Sequence, residues 1–160
     1  MTGRNELNDL EAALSEVRAI YAALAERPVD RNCVGRGECC HFKLTGLTPY
    51  LTKGEALLVA KALRASGRAH LPESVGGACP LLHPETKKCM VYEARPFGCR
   101  THFCAAAGGP YSRKEVLDLI RRLEQLDAKL SGSGARAFIT AVRSALDDLP
   151  SRHLSKRRIG

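Results

Sequence analysis

Aromatic residues are scarce in this sequence. Its 160 residues include no tryptophan, and aromatic side chains make up 5% of the total, whereas apolar residues make up 44%. A chain of this length typically buries roughly 70% of its unfolded surface, which is enough for an ordinary core. We therefore expect a small, mostly helical single domain whose interior is built mainly from Leu, Ala, Val and Ile. The same scarcity leaves few rings on which nucleic-acid bases could stack.

A long hydrophobic run is also missing. The first twenty residues, MTGRNELNDLEAALSEVRAI, contain acidic side chains and no unbroken apolar stretch. They therefore resemble neither a secretory signal peptide nor a membrane-spanning helix. From these features we expect a cytoplasmic protein with no membrane partner.

The cysteines are odd in number, which argues against a framework of paired disulfides. The chain has seven of them, and the cytosol keeps thiols reduced. Metal binding or redox chemistry is the more natural use of so many thiols. The cysteines are Cys33, Cys39, Cys40, Cys79, Cys89, Cys99 and Cys104, with His41, His83 and His102 interleaved.

Four segments have the apolar spacing of amphipathic helices, with steps of three and four residues. The predicted helices cover residues 5–27, 52–67, 112–130 and 135–149. Two of them begin with a capping box, formed by Thr52 with Glu55 and by Ser112 with Glu115. In a capping box the two side chains bind backbone amides that lack a partner at the helix start.

The apolar stripe of the first helix has two interpretations. Its members are Leu7, Leu10, Leu14, Val17, Tyr21 and Leu24. The stripe resembles a coiled-coil seam, so the sequence leaves both a monomer and a dimer open. A stripe this short more often packs on the helix's own domain. We therefore predict that it belongs to the core.

The chain between the helices differs in character. Residues 28–50 and 70–110 are rich in Gly, Pro and Cys, lack a sustained helix or strand period, and contain all seven cysteines. Loops of this length rarely stay ordered in a compact domain unless something holds them, and a bound metal would do so. We therefore predict one domain over residues 1–150, in which about four helices frame an irregular metal-binding region at 28–110.

The number and spacing of the thiols favour a cluster over one structural zinc ion. Four thiolates complete the tetrahedral shell of Zn²⁺ or the shell of an iron–sulfur cluster. The side chains of the neighbours Cys39 and Cys40 tend to diverge, which suits ligation of different metal atoms. Individual cysteines could instead be small buried hydrophobes, and each histidine an ordinary polar residue. The confinement of every cysteine to the loops argues for a shared metal site.

Three cysteine-containing segments resemble a known family. They are CVGRGECC, CPLLHPETKKCMVYEARPFGCR and CRTHFC, within residues 33–104. They resemble the YkgJ-type cysteine-cluster family of zinc- or iron-chelating domains. The family pattern is CxxCxxCC, then a CP pair, then C-x-YE-x-RP-x-x-CR. The second cysteine of this pattern falls on Arg36.

The resemblance implies a ligand set. By motif position, the implied metal ligands are Cys33, Cys39, Cys40, Cys79, Cys89 and Cys99, with Cys104 as a seventh candidate. Because Arg36 cannot coordinate a cation, either the site keeps an open position or another group replaces the cysteine. Arg36 could also hold an anionic substrate or offset the negative charge of a cluster. His41 and His102 are candidates for ligands or for donors to the ligands.

The YEARP block at residues 92–96 has a structural interpretation and a catalytic one. Pro96 restricts Arg95 to an extended conformation, so the chain turns towards the loop that carries Cys99. We favour this scaffold role over direct catalysis by Glu93.

The sequence has an excess of positive charge. Its formal net charge is +8 at pH 7, which favours an acidic partner such as nucleic acid. Four basic residues, Arg152, Lys156, Arg157 and Arg158, lie in the last ten positions. Residues 151–160 are therefore predicted to form a basic tail that could contact phosphate groups.

The functional prediction is a cysteine-ligated metal-binding protein. We favour an iron–sulfur cluster with a redox or Lewis-acid role on a small-molecule or macromolecular substrate, and Zn²⁺ is the alternative cofactor. Two other functions stay open. One is a zinc-stabilised module that binds nucleic acid through the basic tail, and the other is a metal carrier or maturation factor that passes metal to a client. The sequence identifies no catalytic residue.

Overall fold

A computed structural model describes residues 2–27, 48–74, 76–101 and 111–150. The elements follow in the order α1 (Thr2–Ala25), β1 (Tyr50–Leu51), α2 (Lys53–Ala65), a 3₁₀ helix (Tyr92–Ala94), α3 (Phe97–Thr101), α4 (Arg113–Lys129), β2 (Arg136–Ala137) and α5 (Phe138–Asp148). The chain is a small, mostly helical single domain, as the sequence predicts. The predicted basic tail, residues 151–160, lies outside the described residues.

The four long helices lie where the sequence predicts them. α2 and α4 begin and end within two residues of their predicted bounds, and both capping boxes form. α1 begins three residues before its predicted start and ends at Ala25. α5 begins at Phe138, three residues after its predicted start, because the chain just before it is paired with β1.

Four short elements of the described residues are absent from the sequence prediction. β1 and β2 pair antiparallel, with Tyr50 opposite Ala137 and Leu51 opposite Arg136. Strands of two residues carry too little periodicity to be recognised from sequence. The other two, the 3₁₀ helix and α3, lie inside the region predicted to be irregular, and α3 carries Cys99. The cysteine region is therefore not wholly irregular.

α2 is central to the described structure, because it contacts α1, α4 and α5. Eight of its 13 residues are buried, namely Gly54, Glu55, Ala56, Leu57, Leu58, Val59, Ala60 and Leu63. Gly54 permits the closest approach. A Cβ at this position would lie 3.0 Å from the Val17 side chain and 3.1 Å from the Leu126 side chain. The first turn of α2 fits between α1 and α4 because residue 54 has no side chain.

The apolar stripe of α1 packs into the core over most of its length. Its last four members, from Leu14 to Leu24, are buried, which confirms the core interpretation for them. The prediction is wrong for Leu7, which is 51% exposed. Every residue from 3 to 9 is exposed, so the packed part of α1 begins after them. Within the described ranges, neither α1 nor another helix is long and apolar enough to cross a membrane.

Asp127 ties the turn after α4 to the start of α2. Its buried carboxylate accepts hydrogen bonds from the Lys53 amide at 2.8 Å and from the Gly134 amide at 2.9 Å. The Asp127 carbonyl accepts a third bond from the Gly132 amide at 2.8 Å. A negative charge at a helix N-terminus is also favoured by the helix dipole. The SGSG sequence at 131–134 therefore forms a fixed turn.

We expect Gly132→Ala to lower the free energy of unfolding by about 2 to 4 kcal/mol, because it displaces a carboxylate that accepts two amide hydrogen bonds. An added Cβ would lie 2.3 to 2.5 Å from the carboxylate atoms of Asp127. Urea denaturation followed by circular dichroism measures the change. The control is Gly3→Ala, since nothing lies within 4 Å of a Cβ at Gly3. Equal stability of Gly132→Ala and the wild type would contradict the role of Asp127.

Candidate metal centre

Three predicted metal ligands lie in the described part of the chain. They are Cys79, Cys89 and Cys99, and all three are half-buried. The other predicted site residues lie outside the described residues. These are Cys33, Arg36, Cys39, Cys40, His41, His102 and Cys104. The structure therefore describes one part of the predicted site, within residues 76–101.

Cys79 and Cys89 belong to one hairpin. Leu82 forms an isolated antiparallel bridge with Cys89, and its amide donates a hydrogen bond to the Cys79 carbonyl at 3.0 Å. Next to this bridge, the Met90 amide donates to the Leu81 carbonyl at 2.8 Å. Both cysteines also pack against the hydrophobic core. Leu82 therefore contacts both cysteine backbones, because its amide bonds to Cys79 and its bridge pairs it with Cys89.

The turn of this hairpin uses His83 as an acceptor. Its Nδ1 accepts hydrogen bonds from the amides of Glu85 and Thr86, each at 3.2 Å. The His83 backbone completes the turn by bonding to Lys87 and Lys88, each at 2.9 Å. His83 is therefore a turn residue here, because its ring and its backbone both bond to the residues of the turn.

Cys99 lies on α3, which begins directly after Pro96. Arg95 has φ −55° and ψ 137°, the extended conformation expected before a proline. The Pro96 carbonyl then accepts hydrogen bonds from the Cys99 amide at 3.0 Å and the Arg100 amide at 3.1 Å. Pro96 therefore turns the chain as the sequence predicts, but into a short helix where the prediction had a loop.

Two arginines of this segment stack on tyrosine rings. The Arg95 guanidinium lies 3.7 Å from the centre of the Tyr92 ring, and the Arg100 guanidinium lies 4.1 Å from the centre of the Tyr21 ring. Arg100 also donates hydrogen bonds to the carbonyls of Arg95 at 2.7 Å and Glu93 at 2.5 Å. Such cation–π contacts are favourable when partly desolvated. Arg100 thus fastens the 3₁₀ helix and α3 to α1.

The carboxylate of Glu55 connects α3 to two long helices. Glu55 is 2% exposed. Its Oε1 accepts hydrogen bonds from the Phe97 amide at 2.8 Å and the Tyr21 hydroxyl at 3.2 Å. Its Oε2 accepts from the amide and the hydroxyl of Thr52, both at 2.9 Å. Because Phe97 is the first residue of α3, one buried carboxylate joins α1, α2 and the helix that carries Cys99.

Burial changes the ionisation of this cluster. Desolvation raises the pKa of Glu55 above its usual value, although its hydrogen bonds oppose the shift. Desolvation and the neighbouring Glu55 charge raise the pKa of Tyr21 well above its usual range. Desolvation lowers the pKa of Arg100, while the charges of Tyr21 and Cys99 oppose this change. A guanidinium stays protonated in proteins, so Arg100 places a permanent positive charge near Cys99.

The described cysteines do not complete a metal site by themselves. Within the described part of the chain, no group of three or more His, Cys, Asp or Glu side chains is placed to hold a metal ion. Cys79 and Cys89 share the hairpin, whereas Cys99 lies on α3. The described structure therefore contributes three thiols on a backbone that the core holds in place.

The sequence does not predict the support around Cys99. It predicts Glu55 as a capping residue and Tyr21 as a core residue, but it does not link them to each other or to Arg100. One signal exists, because a buried tyrosine usually needs a hydrogen-bond partner. The partner lies 34 residues away in the chain, and no local pattern identifies it.

We expect the Glu55 charge to make stability depend on pH. The folded state holds the Glu55 proton more tightly than the unfolded state does, because burial raises the pKa. The free energy of unfolding should therefore fall as the pH rises from the usual glutamate pKa of about 4.3 through the raised value. Glu55→Gln should lack this contribution. Urea denaturation of both proteins across this range measures the difference, and parallel pH profiles would contradict the assignment.

Comparison with protein families identifies the cysteine region. The model of the CxxCxxCC family, described as "Putative zinc- or iron-chelating domain", matches residues 32–121. This match spans more than half of the 160-residue chain and includes the hairpin, α3 and the first half of α4. No curated protein and no solved structure matches the chain significantly. The resemblance inferred from the cysteine motifs is confirmed, and the chain belongs to the CxxCxxCC family of zinc- or iron-chelating domains.

Proposed function

We propose that this protein uses its cysteines to hold an iron–sulfur cluster. The observation that carries the proposal is that Cys79, Cys89 and Cys99 are half-buried in a segment fixed to the core. Half-buried thiols are accessible to a metal and partly shielded from water. Their donor chemistry fits either zinc or an iron–sulfur cluster.

The remaining ligands in this proposal come from the other cysteine segments. The three described cysteines are one too few for a four-thiolate shell, so at least one further ligand comes from Cys33, Cys39, Cys40 and Cys104. A metal bound by cysteines this far apart in the sequence would link these segments to one another. The metal therefore has a structural role in addition to its chemistry.

One feature favours a cluster over a single zinc ion. The adjacent pair Cys39 and Cys40 suits ligation of different metal atoms. The Arg100 charge near Cys99 supports any thiolate site, because it offsets negative charge. A bound cluster would supply electron transfer or Lewis acidity. Arg36 stands at the position of a family cysteine, so that ligand position is either open to a substrate or filled by another group.

Each of Cys79→Ser, Cys89→Ser and Cys99→Ser should lose most of the bound metal. The loss of affinity should exceed the roughly 10- to 100-fold that removal of an outer-shell partner costs, because a ligand itself is removed. Metal analysis of the purified full-length variants measures the effect. Met90→Leu is the matched control, since Met90 is a half-buried neighbour of Cys89 whose replacement keeps the volume. Wild-type metal content in all three serine variants would refute the ligand assignment.

A further inference from the structure

α3 is held at both ends, with Cys99 between the two contacts. At its first residue, the Phe97 amide donates to the buried carboxylate of Glu55 at 2.8 Å. Near its last residue, the Arg100 guanidinium lies over the Tyr21 ring. A helix of five residues has little stability of its own. Its position is therefore set by these contacts together with the Phe97 side chain, which is buried in the core.

The two contacts share one support. The Tyr21 hydroxyl donates to Glu55 Oε1, the same oxygen that accepts from the Phe97 amide. Thr52 holds the other carboxylate oxygen through its amide and hydroxyl. The first amides of a helix lack partners within the helix, and a charged acceptor gives them a stronger hydrogen bond than a neutral one. Glu55 therefore fixes both the start of α3 and the ring beneath Arg100.

We propose that Glu55 and Tyr21 are positioning residues for the Cys99 ligand. They hold α3 against α1 and α2 before the metal binds, so less ordering of the chain is needed on metal binding. This inference rests on the proposed function, because it assumes that Cys99 is a metal ligand. It assigns to two core side chains a role in metal affinity beyond their role in folding.

Asp127 provides a matched comparison for Glu55. Glu55 is a residue of α2 and Asp127 is a residue of α4, but both carboxylates are buried at the start of α2. Both accept hydrogen bonds from backbone amides. Asp127, however, contacts the turn before β2 through the Gly134 amide and not the helix that carries Cys99. Removal of either carboxylate should destabilise the start of α2, whereas removal of Glu55 should also release α3.

The test is a Co²⁺ titration of the full-length wild type, Glu55→Ala and Asp127→Ala, with the absorption spectrum of the thiolate-bound ion as the readout. Loss of an outer-shell partner typically costs roughly 10- to 100-fold in metal affinity, and we expect a decrease of this size for Glu55→Ala. Its spectrum at saturating Co²⁺ should also shift, because the geometry at Cys99 changes. Asp127→Ala should keep the wild-type affinity and spectrum.

Tyr21→Phe tests the proposal without creating a cavity. It removes the hydroxyl that bonds to Glu55 and keeps the ring beneath Arg100, so circular dichroism should report unchanged helix content. We expect a smaller loss of Co²⁺ affinity than in Glu55→Ala. Tyr50→Phe is its control, because Tyr50 is 64% exposed. If the alanine variants do not fold, the comparison of Tyr21→Phe with Tyr50→Phe tests the positioning role.

The outcomes separate the two proposals. Wild-type protein that binds no Co²⁺ and contains no metal would overturn the proposed function. Wild-type protein that binds Co²⁺, together with equal effects of Glu55→Ala and Asp127→Ala, would overturn the positioning role. If the alanine variants do not fold, wild-type affinity in Tyr21→Phe would overturn it as well.

Discussion

The start of α2 is the point on which the described structure depends. The buried carboxylates of Glu55 and Asp127 both lie there. Each accepts a hydrogen bond from an amide that a helix N-terminus leaves without a partner. Burying a charge is costly unless it is well hydrogen-bonded, and Glu55 accepts four hydrogen bonds. α2 contacts the other three long helices. The position of its first turn therefore affects how all four helices pack.

The two carboxylates connect the helical core to different irregular segments. Asp127 fixes the turn that leads into β2, and Glu55 fixes the segment that leads to Cys99. Irregular segments cannot bury a continuous hydrophobic face. Specific polar contacts therefore contribute more to holding them against the core. The hairpin of Cys79 and Cys89 follows the same principle through its backbone bridge at Leu82. Within the described residues, the cysteine region is therefore anchored to the core at points close to Cys79, Cys89 and Cys99.

The sequence predicts the long helices of this protein better than it predicts the surroundings of the candidate metal ligands. Apolar spacing and capping boxes identify α2 and α4 within two residues, because these signals are local. Leu7 shows the limit of the same pattern, since its stripe continues beyond the packed part of α1. The cluster of Glu55, Tyr21 and Arg100 joins three distant segments, and neither spacing nor composition encodes such contacts. The cysteine motif is recognised from residue order, yet the contacts that hold α3 emerge from the tertiary structure.

The most direct test of this account is the composition of the protein purified without oxygen. An ultraviolet–visible spectrum should be recorded on the full-length chain, with iron, zinc and acid-labile sulfide measured in the same sample. If the cysteines hold an iron–sulfur cluster, the protein will be brown, with broad visible absorption, and will contain iron and sulfide. A colourless protein with tightly bound zinc and no sulfide would contradict the iron–sulfur proposal, and a protein that holds neither metal would contradict cysteine-ligated metal binding itself.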